Sequence, residues 1–233
     1  MKIKKAIILC AGYGKRLQPL TSKTPKPLLK INKKTLLENT INLLKKFGIK
    51  EVFINTHHLS DKIVKFIDKN NFNLKIQIIT EKKAILGTGG GISNITKNVK
   101  EELFLVINPD TIWNTRYLKT LQSMEKIFFK KNCKNILLMV HKSKSFDKNL
   151  KGDFEIKHNL IKESELKNNF IFTGVQILNK KVFKDIKKRK FQINNVWQTL
   201  IKKKKLYGFE SKLKFFHVTD FYIYKKLKKK FKY

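Results

Sequence analysis

The stretch KAIILCAGYGKRLQPLT, residues 5–21, decides the fold: a short apolar run leads directly into a glycine-containing loop. Continuous apolar runs of this length are typical of strands buried on both faces, so Lys5 to Cys10 is predicted to be a strand inside a sheet. The glycines that follow let the backbone approach a ligand and turn N–H groups toward phosphate oxygens, while Arg16 adds positive charge. By itself the loop is as compatible with a plain tight turn as with a phosphate site.

This loop differs from the two commonest phosphate-binding loops. The Rossmann fingerprint needs a third glycine where this chain has Leu17, and the Walker loop needs four residues between its glycines and Ser or Thr after its lysine. A second short segment, Thr24-Pro-Lys26-Pro, follows the loop and adds another cation.

Outward from this stretch, strand and helix patterns alternate up to about residue 142. Further strands are predicted at Glu51–Thr56, Leu74–Thr80, Leu103–Asn108 and Asn135–Val140. Helices are predicted after the capping-box pair Thr35 and Glu38, with Gly48 just after the end of that helix, after a Ser60 cap, and over Asn114–Lys130. Five predicted strands with helices between them indicate an α/β protein with a mostly parallel sheet and helices on both faces.

The pattern changes after Lys142. Shorter strands are predicted at Asp153–Ile161, Phe170–Leu178 and Lys214–Val218, with helices near Lys180–Lys187 and Asn194–Lys204. No Gly, Pro or Ser-rich linker intervenes, so these elements are expected to extend the same sheet within one domain, residues 1–233. The basic tail, residues 221–233, is interpreted as a frayed and solvated helix end.

The charge balance is strongly basic: 53 Lys and Arg against 17 Asp and Glu give a formal net charge of +36. Such an excess attracts polyanions, so a nucleic-acid-binding protein is one hypothesis. However, only Arg16, Arg116 and Arg189 are arginines. Nucleic-acid readers favour the planar guanidinium, so a lysine-rich solvated surface without a specific nucleic-acid partner is the preferred interpretation.

Two cysteines, Cys10 and Cys133, are too few for a disulfide framework or a zinc cluster, which favours a reducing, cytoplasmic location. The apolar run Ala6–Ala11 is too short for a signal peptide. No stretch approaches the ~20 apolar residues that a membrane span needs.

Two further segments follow predicted strands and carry candidate chemistry. Asn108-Pro-Asp110 places a carboxylate where Mg²⁺ could be held beside a triphosphate, although an Asp that caps the next helix is an equal alternative. Leu86-Gly-Thr-Gly-Gly-Gly91 has four glycines in five residues, which suggests a backbone lying against a base or a sugar.

The sequence LCAGYGKRLQPLT, followed by TPKPLL, resembles the signature of the sugar-1-phosphate nucleotidyltransferases, also called NDP-sugar pyrophosphorylases. Other segments are similar to the short branch of this family that contains N-acetylmuramate α-1-phosphate uridylyltransferases and mannose-1-phosphate guanylyltransferases. These segments are Asn55–Leu59, Thr88–Gly91, Asn108–Asp110, Gly152–Phe154 and Phe172–Gly174, within a match over residues 3–220. The resemblance implies a three-layer α/β/α Rossmann-like nucleotide-diphospho-sugar transferase fold with a mostly parallel mixed sheet.

The resemblance also implies a reaction and its substrates. A nucleoside triphosphate, UTP or GTP, and a sugar-1-phosphate would give an NDP-sugar and pyrophosphate for cell-envelope or glycan precursor synthesis, with Mg²⁺ as cofactor. Residues 1–142 would form the nucleotide-binding part and residues 143–220 the sugar-binding part. The implied roles are: catalytic, Arg16, Lys26 and Asp110; nucleotide-binding, Leu9, Ala11, Gly12, Gly14, Lys15 and Gly89; sugar-binding, Gly174; metal-binding, Asp110.

One departure from the family pattern concerns the metal. His217 stands where relatives commonly carry a second metal-binding aspartate. It could ligate a metal other than Mg²⁺, leave the site with one carboxylate, or yield the role to Asp220. A GT-A-type glycosyltransferase is a further enzyme hypothesis, but it would usually show Asp-x-Asp where this chain has Asn108-Pro-Asp110.

The two histidines of the Asn55–Leu59 segment and the two tryptophans are interpreted as structural. His57 and His58 are predicted to be surface or helix-entry residues, and Trp113 and Trp197 to belong to the core or its rim.

Overall fold

The main sheet is organised around a central strand, β1 (Lys5–Leu9), in the computed structural model, which describes residues 2–162 and 167–232. The other strands are β2 (Lys30–Ile31), β3 (Lys34–Thr35), β4 (Glu51–Thr56), β5 (Lys75–Thr80), β6 (Leu103–Ile107), β7 (Asn135–His141), β8 (Glu155–Lys157), β9 (Leu160–Lys162), β10 (Phe170–Asn179) and β11 (Leu206–Ser211). The helices are α1 (Leu20–Lys23), α2 (Leu36–Phe47), α3 (Ser60–Lys69), α4 (Gly87–Thr96), α5 (Tyr117–Lys130), α6 (Asn194–Lys202) and α7 (Phe221–Lys230).

Among the described residues, nine strands pair in the order β5-β4-β1-β6-β10-β7-β11-β9-β8, and β2 and β3 form a separate hairpin. The first four strands of this order are parallel, as are β7 and β11. β10 lies antiparallel between β6 and β7. The sheet is therefore mixed and mostly parallel, which confirms the predicted fold class.

Side chains of the central strand alternate between two cores. Ala6 and Ile8 pack with α2, α3 and α5 on one face of the sheet, whereas Ile7 packs with α4 and α6 on the other. Full burial of all three explains why this segment reads as a continuous apolar run. The result is the predicted three-layer arrangement, helices covering both faces of the sheet.

Several predicted helix boundaries are confirmed with their physical cause. Thr35 caps α2, since its hydroxyl oxygen accepts a hydrogen bond from the Glu38 amide at 3.0 Å. Gly48 ends the same helix at φ +100°, a conformation that favours glycine. Ser60, by contrast, does not cap α3: its hydroxyl lies 2.8 Å from the Thr56 hydroxyl, and the helix begins at Ser60 itself.

The predictions for residues 143–220 were less accurate. The strand predicted at Asp153–Ile161 is the two-stranded hairpin of β8 and β9, and the helix predicted at Lys180–Lys187 is a 3-10 turn over Lys180–Phe183. The strand predicted at Lys214–Val218 is absent from the described elements, because β11 already occupies the place beside β7. That segment makes isolated bridges instead, from His217 to Thr111 and from Phe215 to Ser145.

The basic tail is a packed helix over most of its length, so the expectation of a frayed end was wrong there. Asp220 caps α7 by accepting a hydrogen bond from the Ile223 amide at 2.9 Å. Ile223, Tyr224 and Leu227 are buried in a third apolar cluster beneath the first loop. No helix of the described residues combines the length and apolar character needed to cross a bilayer.

The amino end of the parallel strands carries a cluster of paired charges. Glu51 contacts the Lys5 ammonium and lies 2.6 Å from that of Lys75, and Lys5 also lies 2.9 Å from Glu101. Lysine hydrogen bonds lower the pKa of the Glu51 carboxyl to about 2. Two lysines and two glutamates therefore pair within this cluster.

Candidate active site

The first loop is folded back on itself so that its cations face outward. Gly14 has φ +64° and opens a 3-10 turn over Lys15–Leu17. The Thr21 hydroxyl donates to the Gly14 carbonyl at 2.9 Å, and a Cβ on Gly14 would stand 2.9 Å from the Thr21 methyl. Only glycine meets both demands. Lys15 and Arg16 consequently stay exposed, and Arg16 makes no ion pair or hydrogen bond with the described residues.

A buried hydrogen-bond network behind the loop joins the carboxyl ends of three strands. Asn55, at the end of β4, accepts a hydrogen bond from the Cys10 amide at 2.9 Å and donates one to Glu81 at 2.7 Å. Glu81 follows β5, and its second oxygen accepts from the Leu86 amide at 2.8 Å. This hydrogen-bond network thus holds the glycine-rich turn against the loop. Asn55 lies in the Asn55–Leu59 segment that the sequence singled out, but its contact with Glu81 was not predicted.

Two histidines also tie the loop to the sheet. The His57 Nδ1 lies 2.6 Å from the Glu81 carbonyl oxygen, and its Nε2 lies 3.2 Å from the Tyr13 hydroxyl. The His58 Nε2 lies 2.9 Å from the Thr21 carbonyl oxygen. Both side chains therefore act as supports for the loop, in keeping with their predicted structural role.

The glycine-rich turn forms the first residues of α4 and is tightly packed. A Cβ on Gly89 would stand 2.3 Å from the Phe191 ring, and one on Gly91 would stand 2.8 Å from the Asn55 amide nitrogen. Close packing against protein atoms thus accounts for these two glycines. The role of Gly89 in contacting a nucleoside stays a prediction.

Lys26 and Asp110 meet although 84 residues separate them. The Lys26 ammonium donates to the Asp110 Oδ2 at 2.6 Å, and both side chains are largely enclosed. Burial by itself would raise the pKa of Asp110, but the adjacent His217 and Lys26 outweigh it and lower that pKa to about 2. Asp110 is thus a carboxylate at neutral pH, held directly beside a cation.

His217 completes this cluster. Its Nδ1 lies 3.6 Å from the Asp110 Oδ1 and 3.1 Å from the Thr111 hydroxyl, and its ring stacks on Phe215. Burial lowers the pKa of His217, with Asp110 opposing the shift and Lys26 reinforcing it. Lys26, which donates a hydrogen bond to the carboxylate, is the cation in direct contact with Asp110.

The residues around Asp110 fit a divalent cation in a limited way. The Asp110 Oδ1 is buried and accepts no hydrogen bond from the described residues, so it has a lone pair to offer a cation. The described residues contain no group of three or more His, Cys, Asp or Glu arranged to hold a metal. A hard cation would therefore need further oxygen ligands from a substrate. Asp220 is committed to capping α7.

Asp153, which precedes β8, lines a separate pocket, and Gly174 lies within β10 next to Asn108 of the same wall. Gly174 has φ +90°, and its carbonyl accepts from the Asn108 amide at 2.8 Å, which joins the pocket to the segment before Asp110. The pocket measures about 360 Å³. Apolar neighbours displace solvent from Asp153 and raise its carboxyl pKa, while the Phe172 amide, which donates to Oδ2 at 2.8 Å, opposes the shift.

The remaining candidate residues fall outside the cluster. Leu9 ends β1, Ala11 is buried and Gly12 is exposed at the start of the loop. Cys10 is buried, which raises its pKa and leaves it an inert packing residue. Trp113 and Trp197 are each 3% exposed, so the core assignment is confirmed.

Comparison with known proteins gives a consistent result. A family model described as nucleotidyl transferase matches residues 5–214. D-glycero-alpha-D-manno-heptose 1-phosphate guanylyltransferase of Campylobacter jejuni is 32% identical over 205 residues, which cover 86% of this chain and 88% of the relative. The bifunctional protein GlmU of Methanococcus maripaludis is 29% identical over 213 residues, and the chain spans about half of its length, 49%.

Solved structures agree on the fold. HddC from Yersinia pseudotuberculosis superposes with a TM-score of 0.76 at 25% identity, covering 98% of this chain and 100% of that one. A UDP-glucose pyrophosphorylase in complex with UDP-glucose superposes with a TM-score of 0.79 at 20% identity, covering 99% of both chains. This second likeness concerns the fold alone.

Proposed function

The chain belongs to the nucleotidyl transferase family, and from this premise we propose that it joins a nucleoside triphosphate to a sugar 1-phosphate, giving an NDP-sugar and pyrophosphate. Such products are precursors for cell-envelope or glycan synthesis. We propose UTP or GTP as the nucleotide. The name of the guanylyltransferase relative and the complex of HddC with GMP-PN favour GTP.

The observation that carries this proposal is the contact between Lys26 and Asp110. It lies at the carboxyl edge of the sheet, where open α/β sheets bind ligands. On one side is the loop with its unpaired Arg16, and on the other is the pocket beside Gly174. A triphosphate on the loop and a sugar phosphate in the pocket would both reach Lys26.

In the proposed reaction an oxygen of the sugar 1-phosphate attacks the α-phosphorus of the nucleotide. A new P–O bond forms there, and the bond to the oxygen that bridges the α- and β-phosphorus breaks, so its electron pair leaves with pyrophosphate. The nucleophile is already an anion, so no residue need remove a proton. The protein's contribution is positioning and charge neutralisation.

Each cation has a distinct proposed task. Arg16 neutralises the triphosphate and the departing pyrophosphate, Lys26 bridges phosphates of both substrates, and Lys15 and the Gly14 backbone lie along the triphosphate. The base and ribose would be contacted, largely by backbone atoms, by Leu9, Ala11, Gly12 and Gly89. Gly174 would border the sugar. Residues 1–142 would mainly serve the nucleotide and residues 143–220 the sugar.

We propose Mg²⁺ as the cofactor, with the Asp110 Oδ1 as its protein ligand. The buried, unbonded state of this oxygen supports the assignment. Bound there, the cation would neutralise phosphate charge. Because the His217 imidazole is a poor ligand for Mg²⁺, phosphate oxygens would supply the remaining ligands.

A substrate panel tests the proposal. Purified protein is incubated with each of UTP, GTP, dTTP and CTP together with several sugar 1-phosphates, and pyrophosphate release is measured with Mg²⁺, with Mn²⁺ and with a chelator. We expect pyrophosphate with at least one pair, dependent on both substrates and abolished by the chelator. Absence of release from every pair would overturn the proposal.

The other hypotheses have less support. A glycosyltransferase would use a finished nucleotide-sugar, whereas the loop with Arg16 and Lys26 suits a triphosphate. A nucleic-acid-binding role leaves the enclosed Lys26–Asp110 contact without a purpose. A reducing cytoplasmic location remains our expectation, in keeping with Cys10 and Cys133, which are both free.

A further inference from the structure

The exposed face of α7 carries lysines that no acidic residue of the helix balances. Residues 221–232 contain six lysines and no Asp or Glu. The apolar side chains Ile223, Tyr224 and Leu227 are buried, so packing of this face turns the lysines of the helix toward solvent. None of these lysines forms an ion pair with a described residue. They are Lys225, Lys226, Lys228, Lys229 and Lys230.

The β2–β3 hairpin extends this cationic surface, because it packs against α7. The Tyr224 hydroxyl donates to the Lys30 carbonyl at 3.0 Å, and both elements contribute side chains to the third apolar cluster. An acidic residue lies beside the hairpin: the Glu38 carboxylate is 3.9 Å from the Lys34 ammonium. The α7 surface thus consists of the five lysines of α7 and the exposed hairpin residues Lys30, Lys33 and Lys34.

Aromatic side chains lie among the lysines of α7. Tyr222 is 62% exposed, and Tyr13, in the first loop, is the other exposed large aromatic of the described residues. The Lys226 ammonium lies 4.2 Å from the centroid of the Tyr222 ring, and the Lys225 ammonium lies 4.3 Å from that of Phe221. Tyrosine is enriched at the headgroup level of membranes, because its ring is apolar and its hydroxyl is polar. This combination of rings and cations suits a lipid headgroup layer.

From this charge and these rings we propose that the α7 surface docks the protein on a bilayer that contains anionic lipids. Each lysine close to such a bilayer strengthens the attraction, and at about 0.1 M salt the attraction extends only about 10 Å. A flat bilayer therefore responds to the lysines of one face, not to the net charge of the chain. The apolar face of α7 remains packed in the protein, so the helix lies on the bilayer without inserting that face. This proposal does not depend on the proposed reaction.

A nucleic acid is the other polyanion that lysines attract, and two features of the α7 surface favour the bilayer. The surface contains no arginine, the side chain whose planar guanidinium suits bidentate contacts with bases and phosphates. Its lysines are also gathered on one helix and on the hairpin packed against it. A flat bilayer requires cations on one face, whereas a flexible single strand can follow lysines anywhere on the molecule.

Co-sedimentation with vesicles tests the proposal. The full chain is mixed with vesicles of phosphatidylcholine alone, or with vesicles of phosphatidylcholine and phosphatidylglycerol in equal parts, at about 0.1 M salt. The measured quantity is the partition coefficient between vesicles and solution. We expect it to be on the order of a hundredfold higher for the anionic vesicles and to fall as the salt concentration rises. Equal partition onto both kinds of vesicle would overturn the proposal.

A triple variant of α7 locates the docking face. The variant carries Lys225→Gln, Lys226→Gln and Lys229→Gln, and we expect its partition coefficient on anionic vesicles to fall on the order of a hundredfold. Thermal unfolding checks that the variant folds. Its pyrophosphate release without vesicles should equal that of the wild type, since these lysines are outside the proposed active site.

A second triple variant removes the same charge from the opposite edge of the sheet. It carries Lys202→Gln, Lys203→Gln and Lys205→Gln, in the exposed lysine run that leads into β11. The first residue of β11 pairs with the first residue of β7, so this run lies at the amino edge, whereas α7 packs beneath the loop at the carboxyl edge. We expect a fall of less than about threefold, because screening limits the contribution of distant charges. Equal losses in the two triple variants would overturn the proposal.

A fluorescent reporter keeps the proposal testable if the α7 triple variant does not fold. Trp113 and Trp197 are each 3% exposed, so their surroundings should not change on docking. Tyr222→Trp adds an indole on the exposed face of α7, and we expect its emission to shift to shorter wavelength with anionic vesicles but not with phosphatidylcholine alone. Unchanged emission with anionic vesicles would overturn the placement of α7 at the bilayer.

Retention on a single-stranded RNA homopolymer separates the bilayer from nucleic acid. We expect the α7 triple variant to lose much less RNA binding than vesicle binding, because a flexible strand can use the other lysines of the chain. A loss of RNA binding that equals or exceeds the loss of vesicle binding would assign the surface to nucleic acid and overturn the proposal. Absence of pyrophosphate release in the substrate panel would overturn the proposed function and leave this proposal standing.

Discussion

The two ends of the parallel strands use lysine in opposite ways. At the amino end, Lys5 and Lys75 are matched by Glu51 and Glu101, so two cations face two anions. At the carboxyl end, Lys26 contacts Asp110, whereas Lys15 and Arg16 are exposed and form no ion pair with a described residue. Although the chain has 53 basic residues, the lysines that support the fold at the amino end are paired with acidic residues.

The excess cations at the carboxyl end therefore need an explanation other than stability. Unpaired charges repel one another and add nothing to folding, but they attract a phosphate group as soon as it enters. The comparison teaches that net charge alone does not identify a phosphate site. The local balance between cations and anions identifies such a site. The difference in this balance can be tested at each end of the strands.

The largest effect is expected from Lys26→Ala at the carboxyl end. Removal of this positioned charge should reduce the rate of pyrophosphate release on the order of a hundredfold or more. Lys75→Ala at the amino end is the matched control and should retain the wild-type rate, since Glu51 is the ion-pair partner of Lys75 among the described residues. Equal losses in both variants would remove the functional distinction between the two ends.

Asp110→Ala sharpens the comparison by removing the carboxylate that Lys26 contacts at the carboxyl end. We expect a loss on the order of a hundredfold in turnover, together with weaker Mn²⁺ binding measured by electron paramagnetic resonance. Asp110→Asn keeps the shape of the side chain and should show the same two losses. Wild-type cation binding by either variant would exclude Asp110 as the ligand.

Glu51→Gln addresses the amino end and should affect stability instead of turnover. At pH 7 we expect a loss of about 2 kcal/mol in unfolding free energy, because two lysines lose a charged partner. Folding lowers the pKa of Glu51 from 4.5 to about 2, so its contribution is present above pH 4.5 and disappears as the pH falls toward 2. Denaturant unfolding of both proteins at several pH values measures this difference.

A difference between wild type and Glu51→Gln that stays constant from pH 7 to pH 2 would contradict this reading of the amino end. The variant should also keep the wild-type rate of pyrophosphate release, because Glu51 lies at the opposite edge of the sheet from Lys26.

The smallest effect is expected from Thr35→Ala, which removes the cap of α2. Loss of the hydrogen bond to the Glu38 amide should lower the unfolding free energy by about 1 kcal/mol, with unchanged turnover. Thr35→Ser keeps the hydroxyl and should restore most of the stability. A turnover defect in Thr35→Ala would show that stability and activity are coupled through α2. This helix packs beneath the 3-10 turn over Lys26–Leu28.

The parts of the fold that were predictable are those with local signals. The apolar run at Lys5–Leu9 identified a strand buried on both faces, and Thr35 and Gly48 marked the ends of α2. The proximity of Lys26 and Asp110 also followed, because parallel strands end at the same edge of a sheet. Their roles came from the resemblance of the surrounding motifs.

The parts that sequence reasoning missed depend on distant partners. Asn55 and Glu81 are joined only when β4 and β5 pair, and Asp153 finds its hydrogen bond on β10. The residues around His217 were predicted to be a strand because they are apolar, but the neighbouring place in the sheet is already filled. Likewise, the many lysines in the sequence of α7 obscure the apolar pattern of its buried face. Leu227 on that face packs beneath the loop.

The antiparallel insertion of β10 also constrains how the chain assembles during synthesis. β10 lies between β6 and β7, which do not pair with each other directly. The parts of the sheet on either side of β10 therefore cannot join until residues 170–179 have left the ribosome. Until then the nascent chain carries two open edges of apolar strands, which invite wrong pairing between neighbouring polypeptides. When β10 is added, it pairs with both of these edges, and the Phe172 amide of the same strand donates a hydrogen bond to Asp153.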